Sequence, residues 1–152
     1  MDQEIHYKLP NFEYEWGEAE RYPFFAKRGI NKWIEIAKSG KPVKVNSKTV
    51  ANINNTDAAD PNAFDSLEDD KKERFLKAYA HGEIEMPIVM VDPDGKLELI
   101  AGNTRLTGML GKQDSTQVWL ISARHLKEIT TSNEGMDVGS SDWFRFMMNR
   151  FT

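Results

Sequence analysis

The apolar positions of this chain fall into short stripes separated by polar stretches, and their spacing predicts the order of elements. Residues 1–15 are polar and acidic, punctuated by Tyr7, Phe12 and Tyr14, and read as an arm or a short strand. Trp16 to Phe25 predicts a short helix with Pro23 near its boundary. Ile30, Trp33, Ile34 and Ala37 recur at helical spacing, and Lys38 followed by Gly40 gives that helix a stop. Lys41-Pro42-Val43-Lys44-Val45 alternates and predicts a strand. Residues 46–65 are rich in Asn, Asp, Ser, Thr and Ala, with Pro61, and read as a long polar loop.

Ser66 is the expected N-cap of a helix from Leu67 to about Ala80. Glu68, Asp69 and Asp70 stand in its first turn, where the helix dipole favours acids. Leu67, Phe75, Leu76 and Tyr79 supply its apolar contacts, and Gly82 closes it. Met86 to Val91 is an apolar run of strand type, Asp92-Pro93-Asp94-Gly95 a tight turn, and Leu97 to Ala101 the returning strand. Gly102-Asn103-Thr104-Arg105 then leads into a short helix over Leu106 to Leu110, closed near Gly111. Thr116 to Ser122 predicts another strand. Ser140 or Ser141 caps a last helix, about 140–151, with Trp143, Phe144, Met147 and Phe151 near one face as core or a partner surface.

Composition narrows the class. The chain has 152 residues, 39% hydrophobic and 29% charged, which suits one folded domain. There is no internal repeat. The expected organisation is a single domain over 1–152, with an N-terminal helical extension to about residue 45 and a C-terminal helix. No apolar run reaches the roughly eighteen residues needed to span a bilayer. The first residues lack the pattern of a secretion signal, so a cytoplasmic location without a membrane partner is expected. Cysteine is absent, which excludes disulfides, thiolate metal sites and cysteine nucleophiles. Net charge is -4, yet eight basic residues and one acid lie between Arg21 and Lys48. That segment is either a local basic surface or a set of solvated faces.

The turn at 102–105 is the main candidate for chemistry. Glycine permits a sharp turn and close approach of the backbone. The N–H groups of Asn103, Thr104 and Arg105 would be free at the start of a helix, which is a ready anion site. Arg105 adds a planar, permanently charged fork suited to phosphate, and Thr104 and Thr107 can donate hydroxyls. Alternatively, Asn103 is an ordinary N-cap and Arg105 an ordinary surface residue.

The stretch from His81-Gly82 through Met86-Pro87-Ile88-Val89, Asp94-Gly95 and Leu99-Ile100-Ala101-Gly102-Asn103-Thr104-Arg105-Leu106 resembles the ParB/sulfiredoxin superfamily. That pattern is a helix ending in Gly, a Pro-Ile-x-Val strand, a hairpin, a second strand and a Gly-x-x-Arg turn into a helix. The resemblance covers about residues 66–111 and looks closest to small bacteriophage ParB-like (nuclease-domain) proteins. Glu15-Trp16-Gly17-Glu18-Ala19 and Ile30 to Lys38 are similar to them more weakly. The resemblance implies an α+β fold, a small mixed sheet flanked by helices, and binding of nucleotide or nucleic-acid phosphates at Gly102, Asn103, Thr104, Arg105 and Thr107. It places a phage-encoded protein in the host cytoplasm. In sulfiredoxins the residue after the matching Gly is the catalytic cysteine; here it is Asn103, so that chemistry is excluded. Of the Gly-Glu-Arg-Arg turn at the CTP site of partitioning ParB proteins, only Gly102 and Arg105 match. The family's later Asn-x-x-Arg motif and a helix-turn-helix have no clear copy.

Glu85 and Glu83 precede the Met86-Pro87 strand. With Arg105 they form the candidate catalytic set, as general bases or as holders of Mg²⁺ beside a nucleoside triphosphate, or they are a solvated strand entrance. Asp57, Asp60 and Asn62 either close over a nucleotide or form Asx turns, the second being favoured. His6, His81 and His125 share no ligand spacing, and Asp92 to Gly95 lacks the acids of a calcium loop. No Walker loop or Gly-x-Ser-x-Gly elbow occurs. Three functions follow, in order: a nucleotide- or nucleic-acid-binding protein acting as a nuclease or phosphodiesterase; an ATP-dependent small-molecule phosphotransferase; and a non-catalytic phage protein that binds and inhibits a host factor.

Overall fold

A computed structural model describes residues 4–124. The C-terminal helix expected over 140–151, its aromatic stripe and His125 lie outside the described residues. Asn11 starts the first helix: its side chain accepts from Tyr14 N–H at 3.1 Å and caps α1, Phe12–Ala19. The single helix expected over Trp16 to Phe25 is therefore two. Proline cannot donate to the helix ladder and clashes with the preceding turn, so Pro23 opens a new helix, α2, Pro23–Ala26, as its first residue. Helix α3, Ile30–Lys38, follows as its periodicity predicts.

Strand β2, Lys41–Asn46, comes after β1, His6–Lys8. The segment 46–65 is more ordered than a polar loop. Asn46 and Thr49 form a reciprocal capping box at α4, Ser47–Val50, and Ile53–Asn54 is a two-residue strand, β3. Val50, Ile53 and Ala58 are buried, too widely spaced among polar residues to show a period. Ser66 ends a 3-10 turn over Phe64–Ser66, so it does not cap the next helix; α5, Asp69–His81, has Glu68 at that position. Gly82 closes α5 in the left-handed region at φ 80°, as its sequence predicts.

Glu83–Glu85 forms a short strand of its own, β4, paired in parallel with β1 (Tyr7 opposite Ile84) rather than a mere approach to the next strand. β5, Ile88–Val91, and β6, Leu97–Ala101, are the expected hairpin. Asp92 makes its turn: one carboxylate oxygen accepts from the N–H groups of Asp94 and Lys96, each at 2.9 Å. Helix α6, Asn103–Lys112, begins directly after Gly102, three residues earlier than Leu106, and β7, Ser115–Ser122, ends the described fold.

The main sheet has the order β2-β7-β5-β6-β3, with parallel β5–β7 and β3–β6 pairs and antiparallel β2–β7 and β5–β6 pairs. Both faces are covered. Val89, Val91, Leu99, Val118 and Leu120 pack with Leu106 of α6 and with Val50 and Ile53. Ile88, Met90, Ile100 and Ile121 pack with Ala19, Phe25, Trp33 and Ile36 of the first three helices. The fold is thus α+β, a mixed sheet flanked by helices. Helices α1, α2 and α3 cover one face of the sheet and share its core. Trp33 and Phe25 are fully buried and in edge-to-face contact at 4.8 Å, each contributing roughly 2–3 kcal/mol of apolar burial. The Trp33 indole donates to Phe12 O at 2.7 Å, and the Trp119 indole to Ala37 O at 2.7 Å. These two bonds tie α1 to α3 and α3 to the sheet. A third cluster, Phe75, Ile84 and Met109, joins α5 and β4 to α6. Among the described residues no helix is long and apolar enough to cross a membrane.

Candidate functional site

The second sheet strand of the hairpin ends where α6 begins, and the backbone there has little freedom. Gly102 has φ 95°, a conformation side-chain-bearing residues rarely adopt. A Cβ at that position would stand 2.8 Å from Pro87 Cα and 2.7 Å from Arg105 Nη2. Glycine is required on both counts. No side chain caps α6, and its first ladder bond is Leu106 N–H to Gly102 O at 2.9 Å. The N–H groups of the first turn therefore have no acceptor within the helix ladder.

Arg105 sits in that first turn, where a cation opposes the helix dipole. Two carboxylates offset it. Glu15 of α1 holds Nη2 at 2.9 Å, and Glu85 of β4 lies 3.9 Å from Nη1. The Glu15 side chain is 6% exposed and the Arg105 side chain 24%. Glu85 is itself fixed by the N–H of Asn11, at 3.0 Å from Oε1. The N-cap of α1, the strand β4 and the start of α6 thus meet around one guanidinium.

Glu15, Glu85 and Arg105 line one open cleft of about 860 Å³. Gly102, Asn103, Thr104, Arg105, Glu83 and Glu85, all singled out from the sequence, lie on its wall. Thr107 does not. It is 3% exposed, and its hydroxyl has no hydrogen-bond partner among the described residues. Residue 107 falls on the inward face of α6, because the helix starts at Asn103. Asp57, Asp60 and Asn62 do not line the cleft either; the Asp60 carboxylate accepts from Asn62 N–H at 2.9 Å, an Asx turn. Of the basic 21–48 segment only Arg21 reaches the cleft. Arg28 lies over the Phe24 ring and Lys32 pairs with Glu35, so these two charges are engaged locally.

The structure adds residues that the sequence reading missed. Lys71, Arg74 and His81 line the cleft from one stripe of α5, and Lys8 from β1. Their helical spacing on α5 is visible in the sequence. Glu15 was legible too: with Phe12, Trp16 and Ala19 it falls on the buried stripe of α1, and a carboxylate there needs a partner. Five cations, Lys8, Arg21, Lys71, Arg74 and Arg105, face four carboxylates, Glu15, Glu18, Glu83 and Glu85. The cleft is nearly balanced in charge.

Above the α6 start lies the segment 54–56. The Thr56 hydroxyl donates to Asn103 Oδ1 at 2.7 Å and accepts from Ala58 N–H at 3.1 Å. Asn55 donates to the Tyr22 hydroxyl at 3.0 Å and to Glu98 Oε2 at 2.7 Å. Asn54 donates to the other Glu98 oxygen at 3.1 Å. The Tyr22 hydroxyl donates in turn to Leu99 O. Burial is the main cause that raises the Tyr22 phenol above its ordinary value of 10.0; the Asn55 hydrogen bond opposes it, and Glu98 and Glu18 add to it.

Among the described residues no three His, Asp or Glu side chains converge as a metal site. A divalent cation here would take most of its ligands from phosphate oxygens and water, with Glu83 or Glu85 as a single protein ligand. No protein-family model matches the sequence, and neither a curated protein nor a solved structure matches the chain.

Proposed function

We propose that the cleft binds a nucleotide or a similar small phosphorylated ligand, with the phosphate on the first turn of α6 beside Arg105, in a fold of the ParB/sulfiredoxin-like kind. One observation carries this reading. A left-handed Gly102, pressed against Pro87, opens an uncapped helix onto a cleft that also holds a fixed arginine. Backbone N–H groups, helix dipole and guanidinium then act on one anion. Glu15 fixes Nη2, and Glu85, at the longer distance of 3.9 Å from Nη1, leaves room for a ligand oxygen to compete for that side of the guanidinium fork.

The size of the cleft, about 860 Å³, lies within the usual range for small-molecule sites. Its near balance of charge favours a small ligand over a nucleic-acid backbone, whose binding is driven by an excess of cations and by counterion release. Mg²⁺ would enter with the phosphates. Glu85 supports binding better than base catalysis, because Oε1 is held by Asn11 N–H and faces Arg105. A nuclease or phosphodiesterase step would fall to Glu83, which is exposed on the cleft wall.

Calorimetry with ATP, CTP, GTP and a short DNA, each with Mg²⁺, tests the reading on the wild-type protein and on Arg105→Ala. The expected result is binding of at least one nucleotide, weakened tenfold or more, about 1.4 kcal/mol, in Arg105→Ala. DNA binding with a steep salt dependence and no nucleotide binding would transfer the site to nucleic acid. No heat with any of them would refute a phosphate site.

A further inference from the structure

Asn55 has an unusual environment. It has φ 69°, and it is the one non-glycine residue at positive φ among the described residues. It lines the cleft and is exposed. Its amide orientation is chemically determined. The atom 2.7 Å from Glu98 Oε2 must be the nitrogen, because an ionised carboxylate only accepts. The second amide hydrogen goes to the Tyr22 oxygen, whose own hydrogen is committed to the Leu99 carbonyl. Both hydrogens are therefore spent inside the protein. The Oδ1 acceptor has no partner among the described residues.

The neighbouring contact sets the location of that acceptor. Thr56 follows Asn55 in the chain and touches Asn103, the first residue of α6. Asn55 thus lines the same cleft as the turn proposed to receive the phosphate, with its neighbour Thr56 in contact with the first residue of α6. From these placements we infer that Asn55 is a specificity-determining residue: its Oδ1 accepts a hydrogen bond from a neutral donor, a sugar hydroxyl or a base amine, on the ligand whose phosphate lies on α6. The inference rests on the proposed phosphate site and adds the class of group recognised beside it. A bare phosphate compound lacks that donor. A nucleotide has it, and the added hydrogen bond favours a ligand that carries the donor.

Asn55→Gly is the informative variant. Glycine suits φ 69° without strain; it removes the acceptor together with the amide's bonds to Glu98 and Tyr22. Calorimetry on the full chain compares inorganic tripolyphosphate with ATP, GTP, CTP and UTP, and a thermal melt confirms that the variant is folded. Wild type is expected to bind one nucleotide more tightly than tripolyphosphate. Asn55→Gly should weaken that nucleotide on the order of tenfold and leave tripolyphosphate unchanged. The 2′-deoxy and 3′-deoxy forms of the preferred nucleotide, and the form lacking its exocyclic amine, then assign the donor to sugar or base. Equal nucleotide binding by wild type and Asn55→Gly overturns the inference and leaves the phosphate site standing. Tripolyphosphate binding with no nucleotide preference in wild type does the same. If neither tripolyphosphate nor any nucleotide binds wild type, the phosphate site itself is refuted and the inference falls with it.

Discussion

The ion pair between Glu15 and Arg105 should be asymmetric in its energetics, and the asymmetry follows from burial. The Glu15 side chain is 6% exposed and the Arg105 side chain 24%. Arg105→Gln strands a carboxylate that water reaches only at its edge, and breaking a largely buried pair in this way costs about 3 kcal/mol. Glu15→Gln leaves a guanidinium that still reaches solvent and still has Glu85 at 3.9 Å, so the cost is about 1 kcal/mol. In a chain of this size each kcal/mol lowers Tm by about 2–4 °C. The expected falls are therefore about 6–12 °C for Arg105→Gln and about 2–4 °C for Glu15→Gln. The double variant removes both charges and should be far less damaging than the two single costs added, with a coupling of about 2 kcal/mol. Thermal and urea unfolding by circular dichroism, at low and high salt, measure the cycle. A buried pair should respond weakly to salt. Additivity within about 0.5 kcal/mol, or a larger loss in Glu15→Gln than in Arg105→Gln, would refute the account of Arg105 as a cation held by a buried carboxylate.

Two further outcomes follow from packing and protonation. The Tyr22 phenol is raised above 10.0, so the folded state binds its proton more tightly than the unfolded state. That contribution is fully present below pH 10 and is lost as pH rises through the raised folded value. Urea midpoints measured from pH 8 to 11 should decline above pH 10 in the wild type and decline less steeply in Tyr22→Phe, which itself costs about 1 kcal/mol through the lost hydroxyl contacts. Gly108→Ala places a Cβ 2.6 Å from the buried Phe75 ring, and this overpacking, about 2–3 kcal/mol, exceeds the gain of about 1 kcal/mol in helix propensity. A Tm equal to or above wild type in Gly108→Ala would show that Phe75 moves aside freely.

The sequence by itself determined the local elements whose causes are local. The stripe Ile30, Trp33, Ile34 and Ala37 specifies α3, and the left-handed Gly82 closes α5. Asp92 and Gly95 build the hairpin between two apolar strands, and Gly102 releases the chain into α6. Helical period, strand period and turn chemistry act over a few residues, so they can be read without the fold. Gly102 to Arg105 with Glu83 and Glu85, named from the sequence as one candidate site, all line one cleft. Thr107 lies inward, away from the cleft, because its orientation depends on where α6 begins, a matter of boundary rather than of residue type. Residues 46–65 failed because Val50, Ile53 and Ala58 are too sparse to reveal a period, although burial against the sheet organises the whole segment.

Only the tertiary structure decided who meets whom. Glu15 and Arg105 are ninety residues apart in sequence, and their contact exists because the Trp33 indole ties α1 to α3 and α3 lies on the sheet. The order β2-β7-β5-β6-β3 and the parallel pairing of β1 with β4 have no local signature. The commitment of both Asn55 amide hydrogens depends on Tyr22 and Glu98, which come from two other parts of the chain. Residue types state which bonds are possible. Burial, which removes water as the competing partner, decides which of them form.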